Sequence, residues 1–294
     1  MKYLLILPLC LIAVSKITVQ TRFSKSSIQN DFCSILYNAI SFATAAVILL
    51  PLSFKDGIDT QVLVQGAIMG VLSFAFQLFY INALKCGKVA LTVIINNFSM
   101  LIPITLSALV LKEKLGVAKI VGMVLVLIAF VLTTSQSGDM GKNISETDDN
   151  RRWLFYVISV FVCNGAISVN QKLYSVYSKE LRVFEFVAVA YITAAVISTL
   201  VLTYMYVDVK SIPTKDMLPF ITSGGCVGVL LGVFQCLNTY AASQIDGITL
   251  YSVYNCGVSL MSVVIGRVIF AEQLSVSQII GVATGTLAIV LMCL

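Results

Sequence analysis

The chain has 294 residues, 59% of them hydrophobic and 11% charged, with a mean hydropathy of +0.97 and a formal net charge of +5. So much apolar surface exceeds what one soluble core can hide, so the composition specifies an integral membrane protein. The lack of any histidine removes His-based triads, zinc-peptidase motifs and His proton relays, and the surplus positive charge is of the kind that flanks membrane helices, with no case for nucleic acid.

In chain order, the first apolar run is Tyr3 to Val19 behind Lys2; it has the look of a signal peptide, but no small-x-small cleavage site follows it. Further runs cover Phe32 to Leu52, Val62 to Leu84, Val89 to Leu111 and Val117 to Thr134. Each is close to the roughly 20 residues that cross about 30 Å of hydrocarbon as helix. A polar linker, residues 136–152, holds Asp139, Lys142, Glu146, Asp148, Asp149, Arg151 and Arg152 and reads as an exposed connector without structure of its own. Five more runs follow: Trp153 to Val176, Val183 to Val207, Met217 to Ala242, Ile248 to Phe270 and Val276 to Leu294. The cysteines lie in or beside these runs with no CxxC spacing, so they read as packing residues, and neither metal nor cofactor is expected.

The two sets of runs repeat each other. Gly66-x-x-x-Gly70-Val-Leu ending in Phe76-Gln77 recurs as Gly224-x-x-x-Gly228-Val-Leu ending in Phe234-Gln235. Thr44-Ala-Ala-Val-Ile48 recurs as Thr193-Ala-Ala-Val-Ile197, Asn96 matches Asn255, Glu113-Lys-Leu115 matches Glu272-Gln-Leu274, and Ile120-Val-Gly122 matches Ile279-Ile-Gly281. A unit that crosses the membrane an odd number of times puts its second copy upside down, so the expected fold is all-α, ten transmembrane helices in two inverted five-helix repeats, 1–135 and 153–294. The Gly-x-x-x-Gly ladders at Gly66, Gly224 and Gly281 read as seams where helix backbones approach closely.

On these residues the chain resembles the EamA-type domain of the drug/metabolite transporter superfamily. The likeness rests on Phe76 to Leu84, Gly87, the polar-dotted helix through Asn96, Glu113-Lys-Leu115 and Gly122, and again on Ala241-Ala242, Gly247, Glu272-Gln-Leu274 and Gly281. It implies a transporter and not an enzyme, with both termini inside; Lys and Arg counting leans slightly the other way.

Polar residues inside spans nominate the solute site, because an unpartnered polar group in hydrocarbon is costly. Thr92, Asn96, Ser99, Pro103 and Ser107 share a face of the fourth helix, and Tyr251, Asn255, Ser259 and Ser262 share one on the ninth. Gln77 with Tyr80 and Gln235 with Asn238 add matched positions on the third and eighth. The expected substrate-binding set is Gln77, Tyr80, Asn96, Gln235, Asn238, Tyr251 and Asn255, around a cavity lined by helices 3, 4, 8 and 9, with Lys16 and Lys172 as cationic groups for an anionic solute or, on the plainer reading, snorkelling to the headgroups. Helix-to-helix hydrogen bonding alone would also place such stripes. The 14 acidic residues all fall in loops or at span ends, so nothing supports proton coupling, and Glu113 and Glu272 read as turn residues paired with a nearby Lys or Arg.

The expected function is secondary transport of a small organic metabolite by alternating access. Export of organic cations through an aromatic cavity using Tyr80, Tyr251 and Tyr254 is the alternative within transport, and a membrane scaffold or receptor subunit the alternative outside it. The expected partners are a small-molecule solute and the lipid bilayer of a plasma (cytoplasmic) membrane, with homodimerisation left open.

Overall fold

A computed structural model of the chain describes residues 2–27, 31–53, 59–86, 96–113, 116–134, 147–208, 217–269 and 276–293. Among these residues every regular element is helical. The α-helices are α1 (Ile6–Ser27), α2 (Asp31–Leu49), α3 (Thr60–Cys86), α4 (Leu101–Leu109), α5 (Val117–Thr134), α6 (Thr147–Tyr177), α7 (Val183–Asp208), α8 (Met217–Gln244), α9 (Gly247–Ile269) and α10 (Val276–Cys293). Stretches in α1, α2, α3, α6, α7 and α8 are long and apolar enough to cross a bilayer, and α5 and α10 are shorter apolar helices. Their outward faces carry large exposed hydrophobics, such as Val64, Ile68 and Val71 on α3 and Ile120, Val124 and Ile128 on α5, a surface that suits acyl chains and not water. The protein is a multi-pass integral membrane protein.

Three elements depart from the sequence expectation. Helix α1 runs on to Ser27, past the expected end at Val19. Helix α6 begins at Thr147, inside the expected 136–152 linker, where Thr147, Asp148 and Asp149 are residue types that favour a helix N-terminus because they complement its partial positive charge. The fourth span is not one continuous helix. Before α4, the N–H groups of Ser99, Met100 and Ile102 each bond three residues back, to Asn96, Asn97 and Ser99, in place of the usual four. Pro103, one residue further on, has no N–H to donate to the Ser99 carbonyl, so the ladder tightens and breaks there.

Helix α2 packs mainly on α7 and α8, and α3 packs on α7 and α6. Helix α8 also packs on α1, α4 on α6 and α9, α9 on α1, and α5 on α10. Glycine sets two of these seams, where the added atom would meet a neighbouring helix backbone. A Cβ on Gly228 of α8 would stand 2.5 Å from the Ser41 carbonyl oxygen and 2.8 Å from Thr44 Cβ on α2. A Cβ on Gly70 of α3 would press on the Ala190 carbonyl oxygen and come within 2.7 Å of Thr193 Cβ on α7. Each seam therefore pairs one half's Gly-x-x-x-Gly phrase with the other half's Thr-Ala-Ala-Val-Ile phrase. Two apolar clusters flank them. One is centred on Ala45, Met69, Phe186, Ala190 and Leu231, the other on Leu9, Ile104, Val126, Ile248 and Cys256.

Candidate functional site

Helix α6 carries Asn164, Ser168 and Gln171 at offsets of four and three, which places them on one face. That face reaches three other helices. The Asn164 amide nitrogen donates to Ser99 Oγ at 2.7 Å and Asn96 Oδ1 at 3.1 Å, beside the break before α4. The Tyr251 hydroxyl of α9 donates to the Ser168 carbonyl at 2.8 Å. Asn238 of α8 donates its amide nitrogen to Gln171 Oε1 at 2.9 Å, and Gln171 donates its own to Thr239 Oγ1 at 3.1 Å. On another side of α6, Asn170 donates to the Gln65 carbonyl of α3 at 2.9 Å. The chain of amides thus links the broken helix to α8 and α9 through α6, in a low-dielectric interior where each satisfied bond is firmly held.

Of the expected residues, Asn96, Asn238 and Tyr251 enter this network, and Gln235 lies beside it on α8, buried, its backbone carbonyl taken by Thr239. Asn255 bonds the Tyr251 carbonyl of its own helix at 2.8 Å. Gln77 is half-buried and keeps an unpartnered Oε1, as Asn238 keeps an unpartnered Oδ1. Tyr80 sits elsewhere, stacked on Phe76 at 5.5 Å in an aromatic cluster between α3 and α6 with Phe79, Trp153 and Tyr156. The tyrosines named for an aromatic cavity are therefore divided between interfaces, since Tyr254 packs on Phe234 at 5.7 Å. Thr92 and Glu272, and the side chains of Ser259 and Ser262, lie outside the described residues.

The two lysines have different surroundings. Lys172 is buried next to Gln171, and its ammonium meets Glu113 Oε1 at 3.1 Å while donating to the carbonyls of Ala242 and Ile245 at 3.1 and 2.9 Å. Glu113 in turn accepts from the backbone N–H groups of Gly247 at 3.0 Å and Ile248 at 3.3 Å. The cation therefore sits at the C-terminal end of α8 and the carboxylate at the N-terminal start of α9, each on the helix pole of opposite sign. Lys112, at φ 52, supplies the left-handed turn that swings Glu113 out of α4 toward that pole. Gly247 admits this clasp, because a Cβ there would collide with Ser107 Oγ and touch the Lys172 stem at 3.4 Å. So Lys172 neither snorkels nor faces open space, and Glu113 has the basic partner expected for it. Nearby, Asp246 caps α9 through Thr249 and pairs with Lys119 at 2.8 Å. Burial pushes its carboxyl pKa up, but the bonds from Lys119 and Thr249 outweigh this and hold it below the ordinary value.

Lys16 of α1 has no carboxylate near it among the described residues. Its ammonium lies 5.3 Å from the Phe234 ring centroid, on the α8 helix that carries Gln235 and Asn238, with Tyr254 of α9 on the same ring. Sequence reading had named Lys16 but missed the part played by α6. The signal was present as Asn164, Ser168 and Gln171 at helical spacing in an apolar span, obscured because they belong to none of the repeated phrases.

The model of the EamA-like transporter family matches residues 4–135. No curated protein matches the chain. Among 29 matching chains of solved structures, one crystal structure, titled only as that of a protein, is 18% identical, covers 98% of each chain and superposes with a TM-score of 0.70, a likeness of fold.

Proposed function

We propose that the chain, whose residues 4–135 match the EamA-like transporter family, is a ten-span secondary transporter, in a plasma membrane, built of two inverted five-helix repeats that carry a small organic anion by alternating access. The repeat is supported by the reciprocity of helix contacts: α3 on α7 is matched by α8 on α2, α3 on α6 by α8 on α1, and α4 on α6 by α9 on α1. The solute site in this reading lies where α1, α4, α6, α8 and α9 converge. Asn96, Asn238 and Tyr251 belong to its polar wall, Gln77, Gln235 and Asn255 complete the matched amides, and Lys16 supplies the charge.

The observation that carries the reading is Lys16, a cation midway along α1 that, among the described residues, faces the Phe234 ring and no carboxylate. A carboxylate or phosphate on the solute gains a charge-assisted bond there, while Gln77 Oε1 and Asn238 Oδ1 offer acceptors for its hydroxyl or amine donors. An organic cation would meet that same positive charge, which weighs against the cation-export alternative. Purified protein in detergent is screened by thermal shift against organic anions, neutral metabolites and organic cations, and hits are followed by uptake into liposomes. Lys16→Gln is expected to weaken a stabilising anion by roughly 10-fold or more, the loss of a charge-assisted bond of about 1.5–3 kcal/mol. Stabilisation only by cations, or anion affinity within twofold in Lys16→Gln, overturns the reading.

A further inference from the structure

Away from the α6 network, a cavity of about 220 Å³ opens between α2, α3 and α7. Its wall combines Ser34 and Asn38 of α2 and Asn82 of α3 with the apolar Leu78, Val201 and Met205, and among its lining residues none is charged. Ser34 is 3% exposed and its Oγ has no hydrogen-bond partner; Asn38 is 6% exposed. Asn82 spends its amide nitrogen on the Leu78 carbonyl at 3.0 Å, which leaves its Oδ1 to accept. A buried hydroxyl without a partner costs free energy unless something else bonds it.

Packing does not require these polar groups. In the register that pairs Thr44 with Thr193, Ser34 corresponds to Val183 and Asn38 to Val187; in the register that pairs Gln77 with Gln235, Asn82 corresponds to Tyr240. The second half builds the same helix contacts with valines at the two α2 positions, so the first half's Ser and Asn answer to something other than the fold. Depth adds a second constraint. Ser34 lies three residues into α2, Asn82 four residues before the end of α3 and Met205 three before the end of α7, so the cavity's polar groups sit within about 5–10 Å of one end of the bundle, with Leu78 and Phe74 deeper. In a bilayer that is the level of the glycerol backbone and the first methylenes.

We infer that this cavity is a binding site for an uncharged, hydroxyl-bearing lipid, whose hydroxyl bonds Ser34, Asn38 and Asn82 while its first methylenes lie along Leu78, Val201 and Met205. A hydroxyl both donates and accepts, which matches a serine, a free amide and a spare amide oxygen; a charged headgroup would find no counter-charge on the lining. The site is separate from the proposed solute pathway and does not depend on it.

The test uses the full chain in nanodiscs with a diazirine-bearing 1-monoacylglycerol, the crosslinks mapped by mass spectrometry. Labelling is expected on the α2, α3 and α7 peptides, competed by plain 1-monoacylglycerol but not by free glycerol or by lysophosphatidic acid. The double substitution Ser34→Val with Asn38→Val, which installs the second half's own residues, should reduce it at least fivefold. Met205→Trp, which fills the cavity from α7, should do the same and covers the case of a poorly folding double variant. Lys16→Gln should leave labelling unchanged, so this site and the transport reading fail separately. Labelling spread over all helices, unchanged in both cavity variants, or competed equally by glycerol would overturn the inference.

Discussion

Replacing Gly228 by Ala isolates the physics of the helix seam, because the added Cβ would stand 2.5 Å from the Ser41 carbonyl oxygen and 2.8 Å from Thr44 Cβ. Ordinary contact begins near 3.4 Å, and the nearest obstacle is backbone that cannot rotate away, so α8 and α2 must part by nearly an ångström. Overpacking of this kind costs about 1–3 kcal/mol, offset by at most about 1 kcal/mol because Ala favours helix over Gly. One turn further along, a Cβ at Gly232 would rest 3.7 Å from Ala45 and Leu49, and at Gly225 nothing lies within 4 Å. Gly232→Ala and Gly225→Ala should therefore leave stability unchanged or raise it, while Gly228→Ala lowers it by about 1–2 kcal/mol. Gly70→Ala should mirror Gly228→Ala, since its Cβ meets Ala190 and Thr193 in the same way. The assay is unfolding in mixed detergent micelles, read alongside monodispersity. If Gly228→Ala and Gly232→Ala unfold alike, close backbone approach does not set these seams.

Lys172→Met strands the Glu113 carboxylate at the α9 start, and breaking so buried a pair is expected to cost about 3–5 kcal/mol; equilibrium unfolding measures it, with Glu113→Gln milder because the amide keeps an acceptor for Gly247. Whatever folded Lys172→Met survives should keep its solute preference, since Lys172 is bound to the helix poles. Introduced cysteines at positions 55 and 210, which lie outside the described residues, should label from opposite sides of the membrane in a background cleared of reactive native cysteines; labelling from one side would end the inverted-repeat reading. Asp246 titrates below its usual value in the folded protein, so its contribution is fully present above about pH 4 and lost as pH falls through the lower folded value. The difference in melting temperature between wild type and Asp246→Asn should accordingly be steady at neutral pH and shrink below about pH 4.

The glycine sides of the seams were legible in the sequence because they depend on residue size at a fixed period, whereas their Thr-Ala-Ala-Val-Ile partners were visible only as a repeat, because which helices meet is decided by packing. The six long apolar helices were legible for the same reason, since hydropathy is a sum over residues. The tightened turns before α4 were less so. Pro103 was visible, but whether its missing donor kinks a helix or breaks it depends on what takes the freed Ser99 carbonyl, here the Ile102 N–H, while the amide of Asn164 from α6 holds the Asn96 and Ser99 side chains beside it. The clasp of Lys172 and Glu113 joins residues from α6, the end of α4 and the α8 to α9 turn. Sequence could assign Glu113 a basic partner without saying which, because that choice is made by helix packing.

The two halves share their seams but not their polar interiors, and that difference locates the proposed chemistry. If the amides served only to glue helices, the first helix of each repeat should carry a similar complement, because the contacts of α1 with α8 and α9 mirror those of α6 with α3 and α4. Instead α6 has Asn164, Ser168 and Gln171 spread to three neighbours, whereas α1 sets Lys16 over Phe234 of α8, beside apolar contacts such as Phe23 on Phe220, and meets α9 with Cys10, whose thiol lies 3.7 Å from the Tyr254 carbonyl. One amide-rich wall and one cationic wall would, in the transport reading, distinguish the two ends of a bound solute. In the transport reading, the anionic end lies toward α1 and the hydrogen-bonding end toward α6, and the solute is held between the halves that must move against each other.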